Sequence, residues 1–398
     1  MGKVTGSPRI VHCLAVLRRL RSAHSNHHLG DQPIPARGGL MLSRTSDPGL
    51  NVALVIPLQG PLGLIGPASE LCAQLAAEEI NDAGGILGRE IRLITVDGGA
   101  DPSVAAREVG DLVSAGQVDA VIGAHTSAVR RAIVPRIADR VPYVYTSLYE
   151  GGERNPSVFM TGETPRLQLL PGMRLLAQER HVRRWYIVGD DYVWPRRTAA
   201  MARGYARANG GRIVGESYVP LGTTDFGAVV DQLERSTVDG VLVLLVGQDA
   251  VHFHRAFAQR RLHHTAVRLT PLMDENMLLA TGAESTIGLF AAAGYFDSLA
   301  TPEQLDFAGR YARRFGPDAP MAGNLGQSCY EGVRLLDALI AQARSPQVRD
   351  ITAVADTVSY EGARGRLHLR NHHTAQRIYL AEAEAMEFSV VAELPPCG

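Results

Sequence analysis

The sequence predicts an α/β protein of two similar lobes, each a parallel sheet flanked by helices, and two observations carry that expectation. Short apolar runs rich in Val, Ile and Leu alternate with segments of helical period, and the whole alternation restarts past residue 165. The length, 398 residues, exceeds what one ordinary core organises, and 45% hydrophobic residues suffice for two.

Residues 51–57 (NVALVIP) are the first buried strand, broken into a loop by Gly60, Pro61, Gly63 and Gly66. Leu71, Cys72, Leu75, Ala76 and Ile80 then share one helical face until Gly84-Gly85 stops the helix. A strand at 91–96, helical spacing of Ala105, Val109, Leu112 and Val113, a strand at 118–122 and a helix from Ser127 complete a βαβαβα unit, and 142–146 is a further strand. Gly, Asn and Pro between 150 and 164 lead out of the first lobe. The second copy reads helix 167–180, strand 185–188, helix 197–209, strand 212–219, helix 226–234, strand 240–246 and helix 250–260. An apolar stretch at 287–296 precedes two long amphipathic helices at 303–315 and 329–343. The period then changes to short strands at 365–369, 376–382 and 387–394, with Asn371-His372-His373-Thr374 as the turn of a closing hairpin.

Composition excludes several activities. A net charge of −1 provides no field to recruit nucleic acid or acidic lipid. Lys3 is the sole lysine, which removes Schiff-base and phosphate-loop lysine chemistry from the body of the chain. Cys13, Cys72, Cys329 and Cys397 lack metal or redox spacing, and Cys72 reads as a small core residue. Residues 1–49 are expected to be a loosely ordered extension with a solvated His cluster. Their apolar run precedes Arg18, Arg19 and Arg21, the reverse of a secretory signal, so a cytoplasmic location is expected, or a periplasmic or extracellular one if the true start lies elsewhere. No stretch approaches the roughly 20 apolar residues of a membrane span.

Three segments that follow apolar runs share hydroxyls and aromatic rings: Gly123-Ala124-His125-Thr126-Ser127, Tyr145-Thr146-Ser147-Leu148-Tyr149 and Gly189-Asp190-Asp191-Tyr192-Val193-Trp194-Pro195. Residues just past strand ends hold ligands in open α/β sheets, so the three point to one pocket of mostly neutral chemistry, suited to a small polar molecule. Ser127 serves either as a helix cap or as a ligand contact. Tyr192 and Trp194, two apart in an extended segment, form an aromatic wall with Tyr145, Tyr149 and Tyr295. Asp190-Asp191 reads as turn caps or partners of Arg196 or Arg197 rather than a cation site. Nucleophile-elbow, phosphate-loop, dinucleotide and zinc-helix motifs are absent, so no enzyme activity, cofactor or metal is called for.

These segments, together with the opening strand and glycine loop, AAEEINDAGGILGR at 76–89, the Val-x-x-x-Ile-Gly run into His125 and the Asn371-His372-His373 turn, resemble the type I periplasmic-binding-protein family from about residue 50 to 395. Within it they are most similar to the branch of the amidase-operon regulator AmiC and the urea-binding transport proteins. The resemblance implies two lobes joined by three crossovers, near 159–162, 291–295 and 345–353, with ligand clamped between them. Lobe one would comprise 50–160 and 294–348, and lobe two 161–293 and 349–398. It implies ligand contacts at His125, Ser127, Tyr145, Ser147, Tyr192 and Trp194, to which strand-end placement adds Tyr295. Ser127, Tyr145 and Tyr192 match the branch's residue types, whereas His125, Ser147 and Trp194 stand in place of tyrosine, threonine and tyrosine. An amino-acid ligand would need an acidic partner, for which Asp297 or Glu150 is available.

The expected function is therefore a non-enzymatic sensor that clamps a small neutral amide or urea-like molecule and relays lobe closure to a partner, an antiterminator-type regulator. The alternative is the substrate-binding component of an ABC importer for amides, urea or branched-chain amino acids, with a permease as partner. No direct nucleic-acid contact and no membrane insertion are expected, and a homo-oligomer stays open. For about five heavy atoms, a ceiling of roughly 1.5 kcal/mol per atom gives about 7 kcal/mol, an affinity no tighter than roughly micromolar.

Overall fold

A computed structural model describes residues 49–395, so the expectations for the N-terminal extension, Cys13 and Cys397 lie outside the described residues. The first sheet begins with β1 (Leu50–Ile56), α1 (Gly66–Asp82), β2 (Ile91–Asp97), α2 (Pro102–Ser114), β3 (Ala120–Gly123), α3 (Ser127–Ile137), β4 (Tyr143–Tyr145) and β5 (Val158–Met160). The chain then builds a second sheet through α4 (Pro165–Glu179), β6 (Arg184–Asp190), α5 (Val193–Ala208), β7 (Arg212–Val219), α6 (Gly227–Arg235), β8 (Gly240–Leu244), α7 (Gly247–Gln259), β9 (Val267–Thr270), α8 (Glu275–Thr281) and β10 (Leu289–Ala293). Helices α9 (Pro302–Phe315), α10 (Gly323–Ala343) and α11 (Val348–Val354) return to the first sheet, followed by β11 (Ser359–Gly362), β12 (Gly365–Arg370) and β13 (His373–Ala375). Strands β14 (Ile378–Glu384) and β15 (Glu387–Leu394) complete the second.

Each sheet has a parallel core of the same order, β2-β1-β3-β4-β5 and β7-β6-β8-β9-β10. Strands β3, β4, β5, β8 and β10 are buried along their whole length, which is why they read as unbroken apolar runs rather than alternating ones. One apolar cluster fills the second lobe, and two others cover the opposite faces of the first sheet. Leu62, Ile65, Leu148 and Leu325 come from the first lobe yet pack into the second lobe's cluster, so the lobes are closed upon each other. The start of α7 touches the other lobe as well: Gly247 has φ +51°, and a Cβ there would run into the Pro61 carbonyl.

The C-terminal region departs from the sequence expectation. Residues 349–398 do not all join the second lobe, because β11, β12 and β13 extend the first sheet, β13 pairing parallel with β5. The turn at Asn371-His372 links β12 to β13, with Arg370 opposite His373, while the hairpin of the second sheet pairs β14 with β15. The third crossover is accordingly Gln376-Arg377 rather than 345–353.

All three crossovers meet one buried ion pair. Arg364 donates through Nε to Glu331 of α10 at 2.8 Å, and its side chain is 5% exposed against 0% for Glu331. Its guanidinium also bonds the Gln376 side chain of the third crossover and, at 3.4 Å, the Thr161 carbonyl of the first. Glu163 accepts from the Gly294 amide of the second crossover at 2.8 Å. Gly294 is required there: a Cβ would lie 2.8 Å from Arg364 Nη1 and 2.9 Å from Glu163 Oε1.

Candidate ligand-binding site

In a sheet of this strand order the connections leave β1 and β3 toward opposite faces, opening a crevice beyond their carboxyl ends. Both lobes present that crevice to the same cavity. Leu62 and Ile65 follow β1 and His125 to Ser127 follow β3, while Tyr192 and Trp194 follow β6 and Val246 follows β8. Ser147 and Leu148 beyond β4, Leu272 beyond β9 and Leu325 of α10 close the remaining walls. The enclosed volume is about 20 Å³, room for about one water molecule. A ligand of several heavy atoms therefore enters only when the lobes part.

Six of the seven expected contacts, His125, Ser127, Tyr145, Ser147, Tyr192 and Trp194, line this cavity. Tyr295 does not. It is fully buried in the first lobe's cluster, its ring 6.3 Å from Phe307, and its hydroxyl faces Asp297 and Gln304. The Leu272 and Leu325 walls had no signal in the sequence, since neither lies in a polar strand-end segment. Leu325 was further obscured because α10 starts at Gly323, six residues before the expected 329.

His125 contributes ring surface rather than a charge. Its Nδ1 donates to the Thr126 carbonyl at 3.1 Å, so Nε2 accepts from the Tyr143 hydroxyl at 2.7 Å. Burial pushes the imidazole down to about 3, against the modest help of that carbonyl. Burial likewise raises the Tyr145 and Tyr192 phenols, so both stay protonated. No side chain of the cavity wall carries a charge. Behind it, the Arg130 guanidinium is 5.2 Å from the Tyr145 ring centre and is shared by two carboxylates, Glu150 at 2.9 Å and Glu153 at 2.6 Å.

Two donors remain. Thr126 is the cap of α3, its hydroxyl accepting from the Val129 amide at 3.4 Å, which leaves Ser127 as the first helical residue, its Oγ facing the Tyr145 phenol but without a partner in hydrogen-bond geometry. Across the cleft, Trp194 is 1% exposed and its Nε1 has no partner either. Helix α5 starts at Val193, four residues before the expected 197, so Tyr192 and Trp194 are not neighbours on an extended strand; their rings still lie 6.3 Å apart, tilted by 35°. Helices α3, α5 and α7 all begin at the cavity, and each adds free amide groups and the positive end of its dipole. The wall thus offers donors to an acceptor and apolar area to the rest of a ligand. No carboxylate lines the cavity to meet a ligand ammonium: Asp297 lies at the second crossover, and Glu150 stands behind the Tyr145 wall, one oxygen on Arg130 and the other buried without a partner.

Behind the second lobe's wall the Asp pair divides its work. Asp191 bonds Arg196 at 2.7 Å, as the sequence suggested. Asp190 instead accepts from the Val246 amide at 2.9 Å and faces Asp249, which accepts from the Gly222 amide at 2.7 Å. Burial and the Asp249 charge push the Asp190 carboxyl far up, so the two share a proton.

A family model described as periplasmic binding protein matches residues 49–387. The Leu/Ile/Val-binding protein BraC3 of Rhizobium johnstonii is 25% identical over 317 residues, covering 77% of this chain and 83% of that protein. A solute-binding protein of an R. palustris ABC transporter, solved in complex with benzoate, superimposes with a TM-score of 0.79 at 19% identity, covering 87% of this chain and 97% of that one. The branched-chain amino acid transporter substrate-binding protein LivJ of Streptococcus pneumoniae, solved with isoleucine, gives 0.76 at 20% identity over 87% and 99%. At these identities the two structures speak to the fold.

Proposed function

The chain belongs to the type I periplasmic binding protein family, which makes it a ligand-binding protein rather than an enzyme, and from that premise we propose that it is the substrate-binding component of an ABC importer. Its ligand is a small molecule with a hydrogen-bond-accepting head, a carboxylate or an amide or urea carbonyl, and a compact apolar body. The observation that carries this reading is the pair of unpartnered donors, Ser127 Oγ and Trp194 Nε1, facing one uncharged cavity from opposite lobes. Leaving buried donors unmade is costly, on the order of 1–3 kcal/mol each, so an acceptor bridging them favours the closed form. The two similar structures named for transport, and the relative named for binding Leu, Ile and Val, favour the importer over an amide-sensing regulator of the AmiC kind.

Deleting the gene separates the two readings. An importer component predicts loss of high-affinity uptake of a labelled short carboxylic acid or amide, with amidase expression unchanged. Unchanged uptake accompanied by altered amidase expression would overturn the importer in favour of the regulator.

A further inference from the structure

We infer that the closed cleft is latched by a cluster of three carboxylates, the buried Asp274 and Glu275 with the half-buried Asp297, against the start of α10, so that closure takes up protons and strengthens as pH falls. The inference rests on the two-lobe clamp proposed above and adds a regulation of its motion.

The cluster spans the lobe junction. Asp274 caps α8 of the second lobe, one oxygen accepting from the Met277 amide at 3.0 Å. Its other oxygen has no protein partner and stands 3.0 Å from where a Cβ would sit on Gly323, the first residue of α10 in the first lobe. Glu275 accepts from the Asp297 amide at 2.8 Å, and Asp297 from the Gly323 amide at 3.5 Å. Asn276 donates to the Met321 carbonyl at 2.8 Å across the same junction. Asp274 is 1% and Glu275 3% exposed.

The titratable groups facing the cluster are all acids or neutral: Tyr295 of the second crossover, Tyr311 of α9 and Cys72 of α1, with the amide of Gln304 and the backbone of α10. None is cationic. The compensation comes from backbone amides, those at the start of α8 and of α10, each helix end carrying roughly half a positive charge. Burial first, then mutual repulsion, raises Glu275 well above the usual carboxylate range; burial raises Asp297 and pushes Asp274 up to about 6. Parting the lobes returns water to these groups and with it their ordinary ionisation. The closed form therefore binds more protons than the open one, and lowering the pH favours closure until the open form is protonated as well. A single group moving from about 4 to about 6 makes closure about tenfold more favourable at about pH 5 than at about pH 8.

The test uses the full chain without ligand, followed by small-angle scattering. The radius of gyration of the wild type should fall between about pH 8 and about pH 5, while Asp274→Asn and Glu275→Gln, each keeping shape and hydrogen bonding, should be more compact at pH 8 and respond less to pH. A wild-type radius independent of pH, or variants that keep the full wild-type response, would overturn the latch. Melting curves identify any variant that fails to fold, in which case Asp297→Asn takes its place. Because no ligand is present, this outcome is independent of whether the proposed ligand class is right.

Discussion

Ser127 and Trp194 each place a fully buried polar hydrogen without a protein acceptor on the cavity wall, and that makes their roles separable from packing. Ser127→Ala removes a hydroxyl that caps nothing, since Thr126 does the capping. It should weaken ligand binding about tenfold, the worth of roughly one net hydrogen bond, with the melting temperature unchanged. Trp194→Phe keeps an aromatic face and deletes the N–H; a similar loss of affinity is expected in a calorimetric titration. Wild-type affinity in both variants would remove the donor bridge from the account. Six wall residues were legible from sequence because polar and aromatic side chains clustered just past apolar runs. Leu272 was not, since an aliphatic residue after a strand looks like core wherever it lies. Tyr295 failed for the converse reason: a tyrosine at a strand end packs equally well inward.

At the scale of elements, α3 and the strands β1, β3, β6 and β8 follow from local pattern, whereas pairings that depend on distant partners do not. Arg364 and Glu331 look like ordinary surface charges in sequence, yet they form the buried pair on which the crossovers converge. Arg364→Met strands a carboxylate with no exposure and should cost about 3–5 kcal/mol in denaturant unfolding, while adding Glu331→Gln should restore a good part of it. A single variant as stable as the wild type would show that the pair contributes nothing. The Asp190–Asp249 contact, absent from any local motif, makes a pH prediction. The folded pair keeps a proton that the unfolded chain releases above its ordinary carboxylate pKa near 4. Stability should therefore decline as pH rises from there, by up to about 1.4 kcal/mol per pH unit, until the folded pair gives up its own proton. Asp190→Asn donates to Asp249 without titrating and should flatten that slope. The hairpin at the C-terminus was misassigned because alternation fixes a strand's face but not its partner, and β12 and β14 read alike while belonging to different sheets.

Across the whole molecule, the repeated strand order sets two crevices face to face, and closure turns two half-sites into one uncharged, donor-lined cavity. Two lobes were evident from the doubled alternation, and a ligand between them followed from the family resemblance; the charge content of the cleft was not legible, because Glu150 and Asp297 stood near enough in sequence to serve an ammonium. In the structure neither lines the cavity: Asp297 accepts from the Gly323 amide, and Glu150 sits behind the wall with one oxygen on Arg130. The most direct test is a calorimetric comparison of valine, 3-methylbutanoate and 3-methylbutanamide, which share one apolar body and differ in the ammonium and in the charge of the head. Binding of 3-methylbutanoate or 3-methylbutanamide, with valine at least about a hundredfold weaker for want of a partner to its buried charge, is the result expected. Valine binding more tightly than both would contradict the account.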